Sequence, residues 1–419
     1  MSDSKQTVGP NFTLHRRRFL HGTAALAAAG AFPAILKNSA LAADSDLPVP
    51  KEHYLVAFSN GDMNNSWRAA FVNSMEQWGK KFKSVGPGVD YVWTNSAGDS
   101  AKQLQDCQTL LAQKPSILIL SPNQAQPLDP VIDMATKANV PLVVIDRALV
   151  RKPPLGSYVL NITQNYGASG MTMAAYALDY LNRKHGGYKG NIVEIQGELG
   201  SSPNTDMYVG IREVLKNYPD IKILSTEEGK WSNDGGRRVM QGFLQRFTDD
   251  QMDVIFTYAD ASGLGAMQAI KAAGRNELLD GRIASKDGDV AFIQAVADGK
   301  AMMSTECPPY YGAFAIPEAV QYLNGTLNEK GIQYLKLRTW PNPNAPSLLS
   351  VSSADVKEIL AKQIKFTQDQ KLPLIPPETG DYEQLYFDVS KVKGYDDVIA
   401  YLKAGEVPKD IYDLQNTKS

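Results

Sequence analysis

The run Pro141-Leu142-Val143-Val144-Ile145-Asp146-Arg147 decides the fold. Four consecutive aliphatic side chains cannot alternate between core and solvent, so a strand made of them is covered on both faces. Such strands belong to a parallel sheet sheathed in helices. The run ends in a carboxylate and a guanidinium, at the end of the strand where an open α/β sheet presents its ligand site. Working outward, similar apolar runs appear at residues 53–58, 89–94 and 116–120 before it, and at 191–195, 221–225, 253–257 and 282–285 after it. Between them lie amphipathic stretches at 67–82, 100–113, 130–138, 206–217, 234–247 and 263–274, each long enough to be a crossover helix.

The two sets of runs are offset by a nearly constant amount. Positions 53 and 191 differ by 138, 116 and 253 by 137, and 141 and 282 by 141. A βα rhythm that occurs twice predicts two similar doubly wound parallel-sheet lobes with a ligand cleft between them. The expected boundaries are 51–162 with 307–338 for the N-terminal lobe, and 163–306 with 339–352 for the C-terminal lobe. Beyond Trp340-Pro341-Asn342-Pro343-Asn344-Ala345-Pro346, which reads as a turn array, residues 353–419 form a C-terminal extension expected to pack on the lobes.

Residues 1–42 read differently. Arg16-Arg17-Arg18-Phe19-Leu20 precedes a short Ala-rich apolar run interrupted by Pro33, and Ala40-Leu41-Ala42 supplies small residues for cleavage. That is the pattern of a twin-arginine signal peptide, so the remaining chain is expected in the periplasm. The segment carries five Lys and Arg against one Asp, which leaves the rest more acidic than the whole chain's formal −2. No later Lys/Arg cluster offers the phosphate contacts that nucleic acid needs. No later apolar run reaches the length of a membrane span, and the protein is expected free in solution and monomeric. Only His53 and His185 remain beyond the signal, too few for a histidine metal site or a hydrolase triad, and no metal or cofactor is expected. Cys107 and Cys307 read as two small buried apolar groups rather than a disulfide.

The polar residues at the expected strand ends are the candidate site: residues 60–68, Asn123, Asp146 and Arg147 in the first half, and 196–205, including Thr205, 258–262, including Asp260, and 287–289 in the second. Paired carboxylates, guanidinium forks and aromatic faces match the adjacent hydroxyls and C–H faces of a sugar or polyol. From about Tyr54 to Leu337 the chain resembles the type I periplasmic sugar-binding proteins of ABC importers, the ribose and galactofuranose receptors. The resemblance is carried by Phe58-Ser59, Asn64-Asn65-Ser66-Trp67-Arg68, Ile119-Leu120-Ser121-Pro122, the 141–147 run, residues 197–210, Gly263-Leu264-Gly265-Ala266-Met267-Gln268-Ala269-Ile270, Asp287-Gly288 and Glu306.

The resemblance implies ligand contacts from Asn65, Trp67, Arg68, Asp146 and Arg147 on one lobe and from Trp231 and Asp287 on the other, with Glu306 at an inter-lobe crossover. Thr205 stands where ribose receptors carry an arginine, and Ala259 replaces an asparagine. It further implies lobe closure on a monosaccharide or polyol and delivery to an ABC importer permease, with hinge crossings near 161–164, 304–307 and 337–340. Two other readings share these residues: an exported carbohydrate-active enzyme using Glu306 and Asp287 as acid and base, and a sugar sensor that hands its closed form to a membrane signalling protein.

Overall fold

The computed structural model describes residues 53–83, 88–307, 309, 311–325, 327, 330–334 and 339–341. The signal peptide and the C-terminal extension expected from the sequence lie outside the described residues, as does most of the 340–346 turn array.

The first sheet is built from β1 (His53–Asn60), β2 (Gly88–Asn95), β3 (Ile117–Ser121), β4 (Leu142–Asp146) and β5 (Tyr158–Thr163), joined by helices α1 (Ser66–Lys83), α2 (Ser100–Ala112), α3 (Ala125–Leu128) and α4 (Val131–Ala138). Helix α5 (Tyr166–His185) leads to the second sheet: β6 (Gly190–Gln196), α6 (Ser202–Leu215), β7 (Ile221–Glu228), α7 (Asn233–Arg246), β8 (Val254–Thr257), α8 (Asp260–Ala272), β9 (Ile283–Asp287), α9 (Val290–Ala297) and β10 (Met303–Glu306). Then α10 (Gly312–Leu323) and β11 (Gly331–Tyr334) return to the first sheet, and β12 (Thr339–Pro341) to the second.

The strand orders are β11-β5-β4-β3-β1-β2 and β12-β10-β9-β8-β6-β7. Both are the doubly wound order with a switch point beside the first strand of the lobe. Every pairing is parallel except that of β12 with β10. The two-lobe fold expected from the repeat is the one observed. Its chain crosses between the sheets after β5, after β10 and after β11.

The continuous apolar runs are explained by where their side chains go. In β4, Val143 and Ile145 pack with Phe58 and Phe71 on one face of the sheet, whereas Leu142 and Val144 pack with Leu110 and Leu128 on the other. Each fully buried aliphatic side chain contributes about 1.5–3 kcal/mol. The edge strand β7 departs from this: it alternates between buried and open positions, because one row has no covering layer.

Close helix packing in the second lobe depends on glycine. A Cβ on Gly210 of α6 would lie 2.1 Å from the Gly167 carbonyl oxygen of α5, and one on Gly170 would lie 2.3 Å from the Met207 carbonyl oxygen. The helices therefore approach backbone to backbone at two points. Helix α5 escapes a periodicity reading because it is buried nearly all round, between α6 and the second sheet, and so has no polar face to mark it.

Candidate functional site

Both sheets point the carboxyl ends of their strands at the cleft, and the residues collected there enclose a cavity of about 350 Å³, its mouth included. The first lobe supplies Asn65, Trp67 and Arg68 from the start of α1, and Asp146 and Arg147 from the end of β4. Tyr166 opens α5, Pro203 and Trp231 come from the loops before α6 and α7 and their first turns, Lys286 and Asp287 end β9, and Cys307 follows β10.

A buried ion network forms the first-lobe wall. Arg68 Nη2 lies 3.0 Å from Asp146 Oδ2, and Arg147 Nη2 lies 3.0 Å from Asp62 Oδ2. Asp62 also sits 3.7 Å from Arg68 Nε, so one carboxylate stands behind both guanidiniums. Ser121 Oγ accepts from Arg68 Nη1 and donates to Asp146 Oδ2, and Tyr166 Oη donates to Asp146 Oδ1 at 2.8 Å. Arg147 Nη1 donates to the Asn123 carbonyl oxygen at 2.6 Å.

These side chains are 4–5% exposed. A buried ion pair offsets its desolvation only when its remaining hydrogen-bonding groups are also engaged, and here Ser121, Tyr166 and the Asn123 carbonyl oxygen engage part of them. Burial alone pushes the Asp62 carboxyl up, but Arg68 and Arg147 outweigh it and hold the group below its ordinary value. The Arg68 guanidinium lies 5.0 Å from the centre of the Trp67 ring and 4.8 Å from that of Phe71, which fixes its plane.

The second-lobe wall is sparser. Lys286 Nζ donates to Asp287 Oδ1 at 2.6 Å and lies over the rings of Tyr166 and Trp231. Burial works against the ammonium, yet Asp287 raises its pKa above the ordinary lysine value. The indole Nε1 of Trp231 is buried and has no hydrogen-bond partner among the described residues. Burial pushes the Cys307 thiol up to about 12, so it lines the cavity as an inert apolar group.

Backbone strain gathers at the same place. Asp146, Trp231 and Asp287 all have positive φ, at 65°, 58° and 143°.

The lobes meet at the rim. Asn65 Nδ2 donates to the Trp231 carbonyl oxygen and Asn64 Nδ2 to that of Lys230. Around the cleft, Asn123 Nδ2 donates to Glu198 Oε1, Gln124 Nε2 to the Leu199 carbonyl oxygen, and the Ala148 amide to Ser202 Oγ. The conformation is closed.

Of the residues expected from sequence, Asn65, Trp67, Arg68, Asp146, Arg147, Trp231 and Asp287 line the cavity together. Asn123 does not: its amide is used on the Gly98 carbonyl oxygen, Ser100 Oγ and Glu198. Thr205 lies exposed on α6, its hydroxyl bonded to the Ser201 carbonyl oxygen one turn back, because that helix begins at Ser202 and turns the side chain away. Asp260 opens α8 behind Asp287, accepting from the Gly288 and Asp289 amides and from Ser304 Oγ. Glu306 ends β10 in register with Asp287, and its side chain lies outside the described residues. Tyr166, Lys286 and Cys307 were not expected, whereas Asp62 and Pro203 fall inside the expected segments 60–68 and 196–205 without having been singled out. Lys286 adjoins the expected segment 287–289, whereas Tyr166 belongs to helix α5, which the sequence reading did not identify.

No group of three or more potential metal ligands occurs among the described residues, and no described helix is long and apolar enough to cross a membrane. The chain is 27% identical over 277 residues to the galactofuranose-binding protein YtfQ of Escherichia coli, covering 66% of this chain and 84% of that one. It is 34% identical over 209 residues to a xylitol-binding protein of Mycolicibacterium smegmatis, covering 48% and 57% respectively. The crystal structure of a galactofuranose binding protein superposes with a TM-score of 0.62 at 24% identity, covering 73% of this chain and 99% of that one, a likeness of fold. The profile of the periplasmic binding protein domain matches residues 56–327, well over half of the chain, and the chain belongs to that family.

Proposed function

We propose that this protein is an extracytoplasmic receptor that closes its two lobes on a monosaccharide or polyol and delivers it to an ABC importer. The observation that carries the reading is the composition of the cavity wall. Among the described lining residues, Arg68, Arg147 and Lys286 face Asp146 and Asp287, with Asp62 and Glu198 behind the arginines. A wall of opposed charges flanked by Trp67 and Trp231 suits a ligand rich in hydroxyls and apolar on its ring faces. Hydrogen bonds to charged groups contribute about 1.5–3 kcal/mol each, so a few suffice for micromolar binding of a small ligand.

The relatives point the same way, since two of them are named as galactofuranose-binding and xylitol-binding proteins. Binding rather than turnover is the function assigned here. The proposed ligand contacts are Asn65, Trp67, Arg68, Asp146, Arg147, Trp231 and Asp287, joined by Tyr166. The arginine-led segment at residues 16–18 supports twin-arginine export, and hence a periplasmic site of action for a monomer that meets its permease in the closed form.

The test is a thermal-shift screen of the protein lacking residues 1–42, after unfolding and refolding to strip bound ligand, against pentoses, hexoses, furanose-forming sugars and polyols. At a thousandfold excess over Kd, binding adds about 4 kcal/mol and raises Tm by several degrees. A shift confined to a narrow set of sugars establishes the receptor; no shift across the panel overturns the reading.

A further inference from the structure

Two of the three crossings between the lobes are bonded directly to the first-lobe cavity wall. After β10, the Cys307 amide donates to the Asp287 carbonyl oxygen at 2.9 Å, which ties that residue to the second lobe. Its own carbonyl oxygen accepts from the indole Nε1 of Trp67, on α1 of the first lobe. The Trp67 ring stacks on Phe71 with 5.3 Å between ring centres, and among the described partly buried apolar residues it alone packs against the cores of both lobes. The crossing after β5 is bonded in the opposite sense. Tyr166 opens α5 and is buried in the second-lobe core, yet its hydroxyl donates to Asp146 Oδ1 of the first lobe at 2.8 Å. Trp67, Asp146, Tyr166 and Cys307 all line the cavity.

We infer that the indole N–H of Trp67 and the hydroxyl of Tyr166 are the positioning contacts that couple ligand docking on the first lobe to closure at the hinge, both bonds being made as the lobes close and given up as they part. This rests on the sugar-receptor reading above. A ligand shifts an open–closed equilibrium only through interactions that differ between the two forms. Contacts confined to the first lobe are the same in both, so by themselves they secure capture without favouring closure. A ligand packed against the Trp67 ring and bonded to Asp146 changes that, because it fixes the plane of the indole and the place of the carboxylate that the two crossings must meet. Hydrogen bonds weaken steeply once the donor angle falls below about 120°. A modest rotation of one lobe against the other is therefore enough to break both bonds, which makes them responsive to the lobe angle.

The experiment uses the protein lacking residues 1–42 and, as probes, ribose, galactose, fructose and xylitol, carrying forward the one that raises the wild-type Tm most. Trp67→Phe and Tyr166→Phe each keep a ring facing the cavity and delete one donor. Stopped-flow tryptophan fluorescence should give association rates close to the wild type and dissociation rates raised about threefold to tenfold in each variant, the two factors multiplying in the double variant. Tyr166→Phe is close to isosteric, so it carries the readout even if Trp67→Phe folds poorly or loses ring contact with the ligand. In the isotope-labelled wild type, NMR should show the Trp67 indole N–H exchanging with solvent more slowly once the probe is bound. Dissociation at the wild-type rate in folded variants, or an indole N–H equally protected with and without the probe, makes the bonds permanent scaffold and overturns the inference while leaving the receptor reading intact. Failure of all four probes and of the whole sugar panel sinks the receptor reading, and this inference with it.

Discussion

The two walls of the cavity are built on different principles. The first-lobe wall is a network in which Asp62, Arg68, Ser121, Asp146 and Arg147 engage one another, with Tyr166 of α5 and Glu198 reaching it from the other side. The second-lobe wall is one ion pair and one tryptophan whose Nε1 is unpartnered among the described residues, carried on backbone at positive φ. A preorganised wall sets affinity because it loses little entropy on binding, whereas a wall completed at closure sets how long the ligand stays. Ligand capture by the open first lobe followed by closure of the second is the sequence of events this asymmetry favours.

The largest effect expected from that difference follows removal of a member of the network. Asp146→Ala leaves Arg68 buried without its closest carboxylate, and breaking such a pair costs about 3–5 kcal/mol. Binding should fall by about a thousandfold, and the ligand-free melting temperature should fall with it; calorimetry and a thermal melt read the two. A variant that keeps its affinity would show that the network is scaffold and not site.

Trp231→Ala removes an aromatic wall and its Nε1 donor, for a loss of about tenfold to a hundredfold in affinity, and because the ring is buried in the second-lobe core it should also lower the ligand-free melting temperature. Gly197→Ala should weaken binding in the same direction without deleting any cavity group, because the added Cβ would sit 2.1 Å from the Trp231 ring and displace it. If Gly197→Ala binds normally, the ring is not held where the closed form needs it.

A smaller effect is expected at the rim. Asn123→Ala removes the bond to Glu198 that ties the lobes together, a neutral-to-charged contact at 3.1 Å in a half-buried position. Its loss should raise the dissociation rate by about threefold to tenfold and leave selectivity among sugars unchanged, measured by stopped-flow tryptophan fluorescence. Altered selectivity would place Asn123 against the ligand after all.

What the sequence made legible tracks how far a side chain's setting is local. The sheets could be read because residues such as Val143 and Val144 are buried on opposite faces, and burial on both faces leaves a continuous apolar run. Asp146 and Asp287 could be located because a strand end is marked by the switch from apolar to polar. Tyr166 could not, since α5 is wrapped by α6 and the second sheet and has no amphipathic stripe, so neither the helix nor the residue opening it gave a signal. Thr205 and Asp260 were assigned to the cavity because strand-end segments are several residues long, and which of them faces inward depends on the residue at which the next helix starts. Helix α6 starts at Ser202, after Ser201 and with Pro203 in its first turn, and α8 starts at Asp260.

The finest test of the asymmetry is acid titration. The folded-state pKa of Asp62 lies below its ordinary 3.8 because Arg68 and Arg147 overcome the opposing effect of burial. A carboxylate whose pKa is depressed by folding stabilises the native state at every pH above its unfolded value. It loses that contribution as pH falls through the folded one, here from just under pH 4 downward. The melting temperature of the ligand-free protein should therefore drop across that window, and Asp62→Asn should flatten the drop while lowering stability at pH 7. The second-lobe carboxyl Asp287 is raised rather than lowered, burial outweighing Lys286, so Asp287→Asn should leave the acid limb below pH 4 in place. Identical acid limbs in the wild type and Asp62→Asn would mean that the arginines are balanced by Asp146 alone. The first wall would then be no more self-contained than the second.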